Sequence, residues 1–188
     1  TADADIDAPE AWDIHTGDSS IIVAVIDTGV DYTHADLAGN MWVNQAEYKG
    51  KAGQDDDGNG YIDDIYGYDF CNEDPNPKDD HYHGTHCAGI IGAAGNNGIG
   101  ITGTCWNVRI MALKYLDSGG RGWASDAIQC IQYAIKMNAN VMSNSWGGGP
   151  NDQALKDAID AAQANNILFV AAECNDGMNN DKNPHYTY

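Results

Sequence analysis

Two short stretches of this chain carry residues suited to proton transfer. The first is His83-Gly84-Thr85-His86-Cys87-Ala88-Gly89, which continues as the small-residue run Ala88-Gly89-Ile90-Ile91-Gly92-Ala93-Ala94-Gly95. Such a run suits a helix packed so closely that larger side chains would not fit. A histidine at the start of that helix is held rigidly, with its ring facing away from the helix body. Geometry comes before pKa in selecting a base, so this is a useful place for one. The second stretch is the apolar run Ile21-Ile22-Val23-Ala24-Val25-Ile26, which ends in Asp27-Thr28-Gly29-Val30. Its length and composition suit a strand buried on both faces. A carboxylate at the end of such a strand, before a glycine turn, stands where open α/β sheets place their sites.

A third stretch suits a metal rather than a proton. In Asp55-Asp56-Asp57-Gly58-Asn59-Gly60-Tyr61-Ile62-Asp63-Asp64, the spacing of Asp55, Asp57, Asn59 and Gly60 copies the first half of an EF-hand loop. Alternate residues aim oxygens at one centre, and Gly60 permits the sharp turn. The carbonyl of Tyr61 and the carboxylate of Asp63 take the next ligand positions. The twelfth position is Tyr66 rather than Glu, so the expectation is an EF-like calcium loop without EF helices. A different metal reading attaches to His81-Tyr82-His83-Gly84-Thr85-His86, which superficially resembles the zinc motif of metallo-β-lactamase-like hydrolases. Thr85 stands where that motif has Asp, and its further ligands are not evident.

The elements that position these residues alternate along the chain. A short helix is expected over Ala8–Trp12, with Pro9 in its first turn. Strands are expected over Ser20–Ile26, Val108–Lys114, Asn140–Asn144 and Ile167–Ala172. Helices are expected after His83, over Trp123–Met137 with Ala124, Ala127, Ile128, Ile131, Ala134 and Ile135 inward, and over Asp152–Asn165 with Leu155, Ala158, Ile159 and Ala162 inward. Residues Ile65–Asp80 read as a Pro-containing loop. This alternation predicts an α/β fold: a mainly parallel sheet with right-handed crossovers and helices on both faces.

Composition narrows the partners. The chain has 188 residues, 43% hydrophobic and 20% charged, with a net charge of −19. That balance suits one soluble domain with a real core and argues against nucleic acid, which needs a basic face. No apolar stretch reaches membrane-spanning length, and no signal peptide stands at Thr1. Five cysteines show no C-x-x-C pair, and an odd number leaves at least one free. Cys87, behind His83, is expected to be free and buried. Cys105 with Cys130, or Cys71 with another, are the candidate disulfides of a secreted protein.

The first two stretches together resemble the subtilase family of serine proteases. Asp27-Thr28-Gly29-Val30 resembles its aspartate motif. His83-Gly84-Thr85-His86-Cys87-Ala88-Gly89 resembles its histidine motif, in the cysteine-bearing form of proteinase K-like members. The order Asp then His is the subtilisin order. The resemblance runs from about Thr1 to Asn180, and it implies a subtilisin-like three-layer fold and peptide-bond hydrolysis. It gives Asp27 and His83 triad roles and makes Asn175, in Glu173-Cys174-Asn175, the oxyanion donor. Asp117–Gly122, with Gly120 and Gly122, resembles the edge that pairs with extended substrate. Ser145-Trp146-Gly147-Gly148 resembles the substrate-binding strand, with Trp146 walling a specificity pocket. Asp36, with Asn97, Ile99 and Ile101 of the Asn96–Gly103 loop, resembles the family's first calcium site. Thr1–Trp12 resembles a mature N-terminus.

Departures from the family accompany the match. Tyr82 stands where Gly usually precedes the histidine, Ala35 replaces a proline, and Glu173 and Cys174 replace Ala and Gly. The serine motif Gly-Thr-Ser-Met-Ala is absent from the sequence. Residues 1–188 are therefore expected to form a single subtilase-like catalytic domain, truncated on its C-terminal side. Its expected partners are extended polypeptide substrate and a second chain carrying the serine segment, or a dimer partner; the alternative expectation is an inactive, calcium-stabilised subtilase-like fragment that binds peptide or a partner chain. Calcium is the expected cofactor and the extracellular space the expected location.

Overall fold

The computed structural model describes residues 5–148, 151–173, 175 and 177. Its elements run α1 (Ala8–Trp12), β1 (Gly17–Asp27), a 3-10 turn (Ala38–Asn40), α2 (Gln45–Lys49), β2 (Gly67–Asp69), α3 (His83–Gly92), β3 (Asn107–Lys114), α4 (Ala124–Lys136), β4 (Val141–Asn144), α5 (Gln153–Ala164) and β5 (Leu168–Ala171). The five strands form one sheet in the order β2-β3-β1-β4-β5. Every pairing in it is parallel.

Burial on both faces explains why β1 and β3 read as continuous apolar runs. Val23 and Val25 of β1 join Val108, Ile110 and Ala112 on the face covered by α3. Their neighbours Ala24 and Ile26 join Met111 and Leu113 on the opposite face, under Ala127, Ile131 and Ala134 of α4 and Leu155, Ala158 and Ala162 of α5. The small-residue character of α3 is steric. A Cβ on Gly92 would run into Val108 and would stand 3.0 Å from Ile110 Cδ1. The Asp152 side chain caps α5 by accepting from the backbone N–H of Ala154 and Leu155 at 2.8 and 3.2 Å.

Two elements depart from the expected pattern. The segment Ile65–Asp80 is not all loop, because β2 within it adds to the sheet beside β3. Helix α2 forms in a polar stretch, with the Asn44 side chain accepting from Ala46 N at 3.2 Å. The disulfide candidates are overturned: Cys71, Cys87, Cys105 and Cys130 are all free. Cys130 is buried on the inner face of α4, whereas Cys105 packs on the α3 face, so the sheet lies between them. Cys87 is only partly buried. Thr1–Ala4, Gly149, Pro150 and Cys174 lie outside the described residues.

The far edge of the sheet is open among the described residues. β5 pairs with β4 on one side only, and Leu168 and Val170 are 62% and 47% exposed. These two residues pair in register with Val141 and Ser143, which pair in turn with Val23 and Val25. They therefore extend the α3-side face of the sheet. No helix among the described residues is long and apolar enough to cross a membrane.

Candidate active site and acidic loop

Asp27 ends β1 at the C-terminal edge of the sheet, and α3 begins beside it. His83 Nδ1 lies 2.8 Å from Asp27 Oδ1. The carboxylate is 1% exposed and the imidazole 41%, so a buried acceptor orients a ring that still reaches the cleft. The close approach needs Gly84, because a Cβ there would meet the Gly29 carbonyl and stand 3.1 Å from Asp27 Cβ. Asp27 Oδ1 also accepts from Thr28 N at 2.7 Å, and Asp27 Oδ2 is buried without a hydrogen-bond partner among the described residues. This hydrogen bond favours the tautomer with the proton on Nδ1 and leaves Nε2 as the base.

Cys87 lies one helical turn beyond, with Sγ 3.9 Å from His83 Nδ1. Burial pushes its thiol pKa up, Ser145 offsets this in part, and the Asp27 carboxylate adds to it. A thiol held in its protonated form is a poor nucleophile, which argues against a cysteine-protease reading of this pair.

His83 opens onto a cleft of about 630 Å³ lined by Gly120, Gly122, Ser145, Trp146, Gly147 and Gly148, among others. All six residues with a sequence-based substrate role thus share one cleft with His83. Trp146 forms its wall, donating Nε1–H to Ile26 O at 2.9 Å and packing edge-on against Tyr115 with ring centroids 5.1 Å apart. On the opposite rim, Asp117 Oδ1 accepts from Gly119 N and Arg121 N at 2.8 and 3.0 Å, which shapes the glycine turn. Asn175 is exposed in a bend beyond the C-terminal end of β5, the same sheet edge that carries Asp27.

The histidine-only metal reading fails on geometry. His83 is engaged by Asp27, and the His81 and His83 ring centroids are 6.4 Å apart. Among the described residues, no cluster of three ligand atoms combines His81, His83 and His86.

The acidic loop does gather oxygens. Carboxylate atoms of Asp55, Asp57 and Glu47 lie within 4.8 Å of one another. Glu47 is buried, and it accepts from Asp56 N at 2.6 Å and Asp63 N at 2.9 Å. Sequence reading missed it. The lack of an acid at the twelfth loop position was the signal that could have directed attention to a carboxylate from elsewhere in the chain. Asn59 and Asp63 are used differently from their EF-hand counterparts. Asn59 Nδ2 donates to Asp57 and Asp64, its Oδ1 accepts from Tyr61 N, and Asp63 Oδ2 accepts from Gly53 N. Asp64 anchors the loop from below, accepting from Asn44, Asn59 and Tyr133. Burial pushes its carboxyl up to about 6, against the lowering effect of its Tyr133 and Asn59 hydrogen bonds.

Asp36 and the Asn97–Ile101 loop, the other expected calcium ligands, are hydrogen-bonded to each other. Asp36 is buried, its Oδ1 accepting from Asn97 Nδ2 at 2.7 Å and its Oδ2 from Ile101 N at 3.0 Å. The Asn97 hydrogen bond leads in holding this carboxyl below its usual range. Asn97 Oδ1 accepts from Ile99 N at 3.0 Å.

The C-terminal edge of a parallel α/β sheet thus carries a buried carboxylate that orients an imidazole over a glycine-edged cleft. The chain belongs to the subtilase family of serine proteases, whose family model (Peptidase_S8) matches residues 18–188. Subtilisin-like protease 1 of Plasmodium falciparum (isolate 3D7) is 40% identical over 153 residues, covering 81% of this chain and 22% of that protein. Thermitase of Thermoactinomyces vulgaris is 35% identical over 181 residues, covering 96% of this chain and 56% of that protein. The solved structure of sphericase superposes with a TM-score of 0.70 at 27% identity, covering 88% of this chain and 49% of that one. The chain thus spans from about a fifth to just over half of the relatives' lengths.

Proposed function

We propose that this chain supplies the Asp–His half of a serine endopeptidase. The observation that carries the reading is the 2.8 Å contact between buried Asp27 and His83 at the head of the glycine-edged cleft. In this mechanism His83 Nε2 takes the proton from a serine hydroxyl as that oxygen attacks the scissile carbonyl. Asp27 holds the ring and stabilises the imidazolium that forms. His83 then gives the proton to the leaving amine. Asn175 donates to the oxyanion. Extended polypeptide lies along the Gly120–Gly122 and Ser145–Gly148 edges, and Trp146 favours apolar side chains.

The serine comes from polypeptide outside these 188 residues, either a continuation of the chain or a second chain. The β5 edge, unpaired among the described residues and with Leu168 and Val170 exposed, supports this, because added polypeptide would extend the sheet there. By itself the chain is inactive. Calcium is the cofactor we assign to the acidic loop, since three carboxylates so close repel one another without a cation and oxygen donors suit a hard one. Glu47, Asp55 and Asp57 would hold that ion, and Asp36 with the Asn97–Ile101 loop would hold another. An acidic, calcium-stabilised chain of this kind suits the extracellular space.

Casein hydrolysis tests the reading. The chain alone should give none, and co-expression with a serine-bearing subtilase segment should restore it, with His83→Ala abolishing the restored activity. Hydrolysis that survives His83→Ala would overturn the assignment.

A further inference from the structure

The contact between Asp27 and His83 joins two separate elements, and something must fix their relative position. Tyr82, the residue before α3, has φ 101° and gives no side-chain cap to the helix. The capping comes from Asp79 instead. Its Oδ2 accepts from Thr85 N at 2.9 Å and from Thr85 Oγ1 at 2.6 Å. Its Oδ1 accepts from His81 N and Tyr82 N, each at 2.9 Å, and from Thr28 Oγ1 at 2.9 Å. The Thr28 hydroxyl in turn accepts from Gly84 N at 2.9 Å. Thr28 follows Asp27 directly, and Gly84 follows His83 directly. One partly buried carboxylate with five donors therefore ties the end of β1 to the first turn of α3, from both sides of the reacting pair.

We infer that Asp79 is a positioning residue that sets the geometry of Asp27 and His83 through Thr28 and the first turn of α3. Each oxygen faces at least two donors, so a neutral amide cannot replace the carboxylate. Whichever way an Asn is turned, its NH2 group points at N–H or O–H donors. A negative charge at a helix N-terminus is also favourable in itself. Loss of the carboxylate frees the His81–Tyr82 turn and lets α3 shift relative to β1. The hydrogen bond that selects the Nδ1–H form of His83 then lapses.

The inference rests on the peptidase reading of the pair, but its readout needs no nucleophile. A chain that never gains peptidase activity still reports the state of His83, so the two failures are distinct. The measurement is 15N NMR of the His83 ring in this chain, at a pH where the imidazole is neutral. The parent should show the Nδ1–H tautomer as the main form. Asp79→Asn should lose that predominance, with the Nε2–H form rising. Thr28→Val, which removes the hydroxyl relay at similar volume, should lose it too, and Thr28→Ser should retain it. Ile131→Ala, a core truncation in α4 on the far side of the sheet, should lower the melting temperature and leave the tautomer unchanged. An unchanged tautomer in Asp79→Asn would overturn the proposal, as would an equal loss in Ile131→Ala. If Asp79→Asn does not fold, the Thr28 pair decides: Val and Ser variants that behave alike would overturn it.

Discussion

Tyr82 shows how a single residue strains against the site it serves. It stands in the left-handed region at φ 101° beside His83, a conformation that glycine adopts freely. Its ring is 73% exposed and stacks on His81 at 4.4 Å, so removing it uncovers little core. Relief of strain outweighs the added freedom of glycine in the unfolded chain, and Tyr82→Gly should stabilise the protein by about 1 kcal/mol in urea unfolding. At this scale the sequence was informative where chemistry is local. Asp27, His83 and the cleft glycines could be read from their motifs. The five-donor role of Asp79 could not, because nothing in Asp79-Asp80-His81 distinguishes a hub from a solvated acid.

Among the elements, the acidic loop was half legible. Its alternation of Asp55, Asp57 and Asn59 marked an oxygen-rich turn, yet Glu47 enters from α2, a helix too short to leave a periodic signal. Lys136 of α4 donates to Asn59 O at 2.6 Å, and Tyr133 bonds Asp64, so the loop is fastened to the helix that lies over the core. Calcium should therefore stabilise the whole domain, and chelation should lower its melting temperature. Glu47→Gln should weaken calcium binding on the order of tenfold in a calorimetric titration, because ligand charge tunes such sites. Unchanged affinity would remove Glu47 from the ligand set. β2 escaped the sequence reading for a related reason. Three residues cannot establish a period of two, and its place in the sheet is fixed by pairing with β3 rather than by its own composition.

At the scale of the whole molecule, the alternation of strands and helices predicted the parallel sheet because each intervening helix carries the chain back to the end of the sheet where the preceding strand began. Disulfides were less readable, since cysteine count says nothing about which side of the sheet each thiol faces. The β5 edge, unpaired among the described residues, matters most here. Leu168→Lys and Val170→Lys should each change stability by less than about 0.5 kcal/mol, because both side chains are exposed. Both should nevertheless block recovery of casein hydrolysis when the serine-bearing segment is supplied. A loss of folding instead would mean that this edge is already part of the core. The division of a catalytic triad between these residues and further polypeptide is tested most directly by a fluorophosphonate, which labels activated serines, followed by intact mass of every polypeptide in the sample. Label should appear on polypeptide outside residues 1–188 and should vanish in His83→Ala. Label on one of the serines within these 188 residues would contradict the division, because the chain would then carry its own nucleophile.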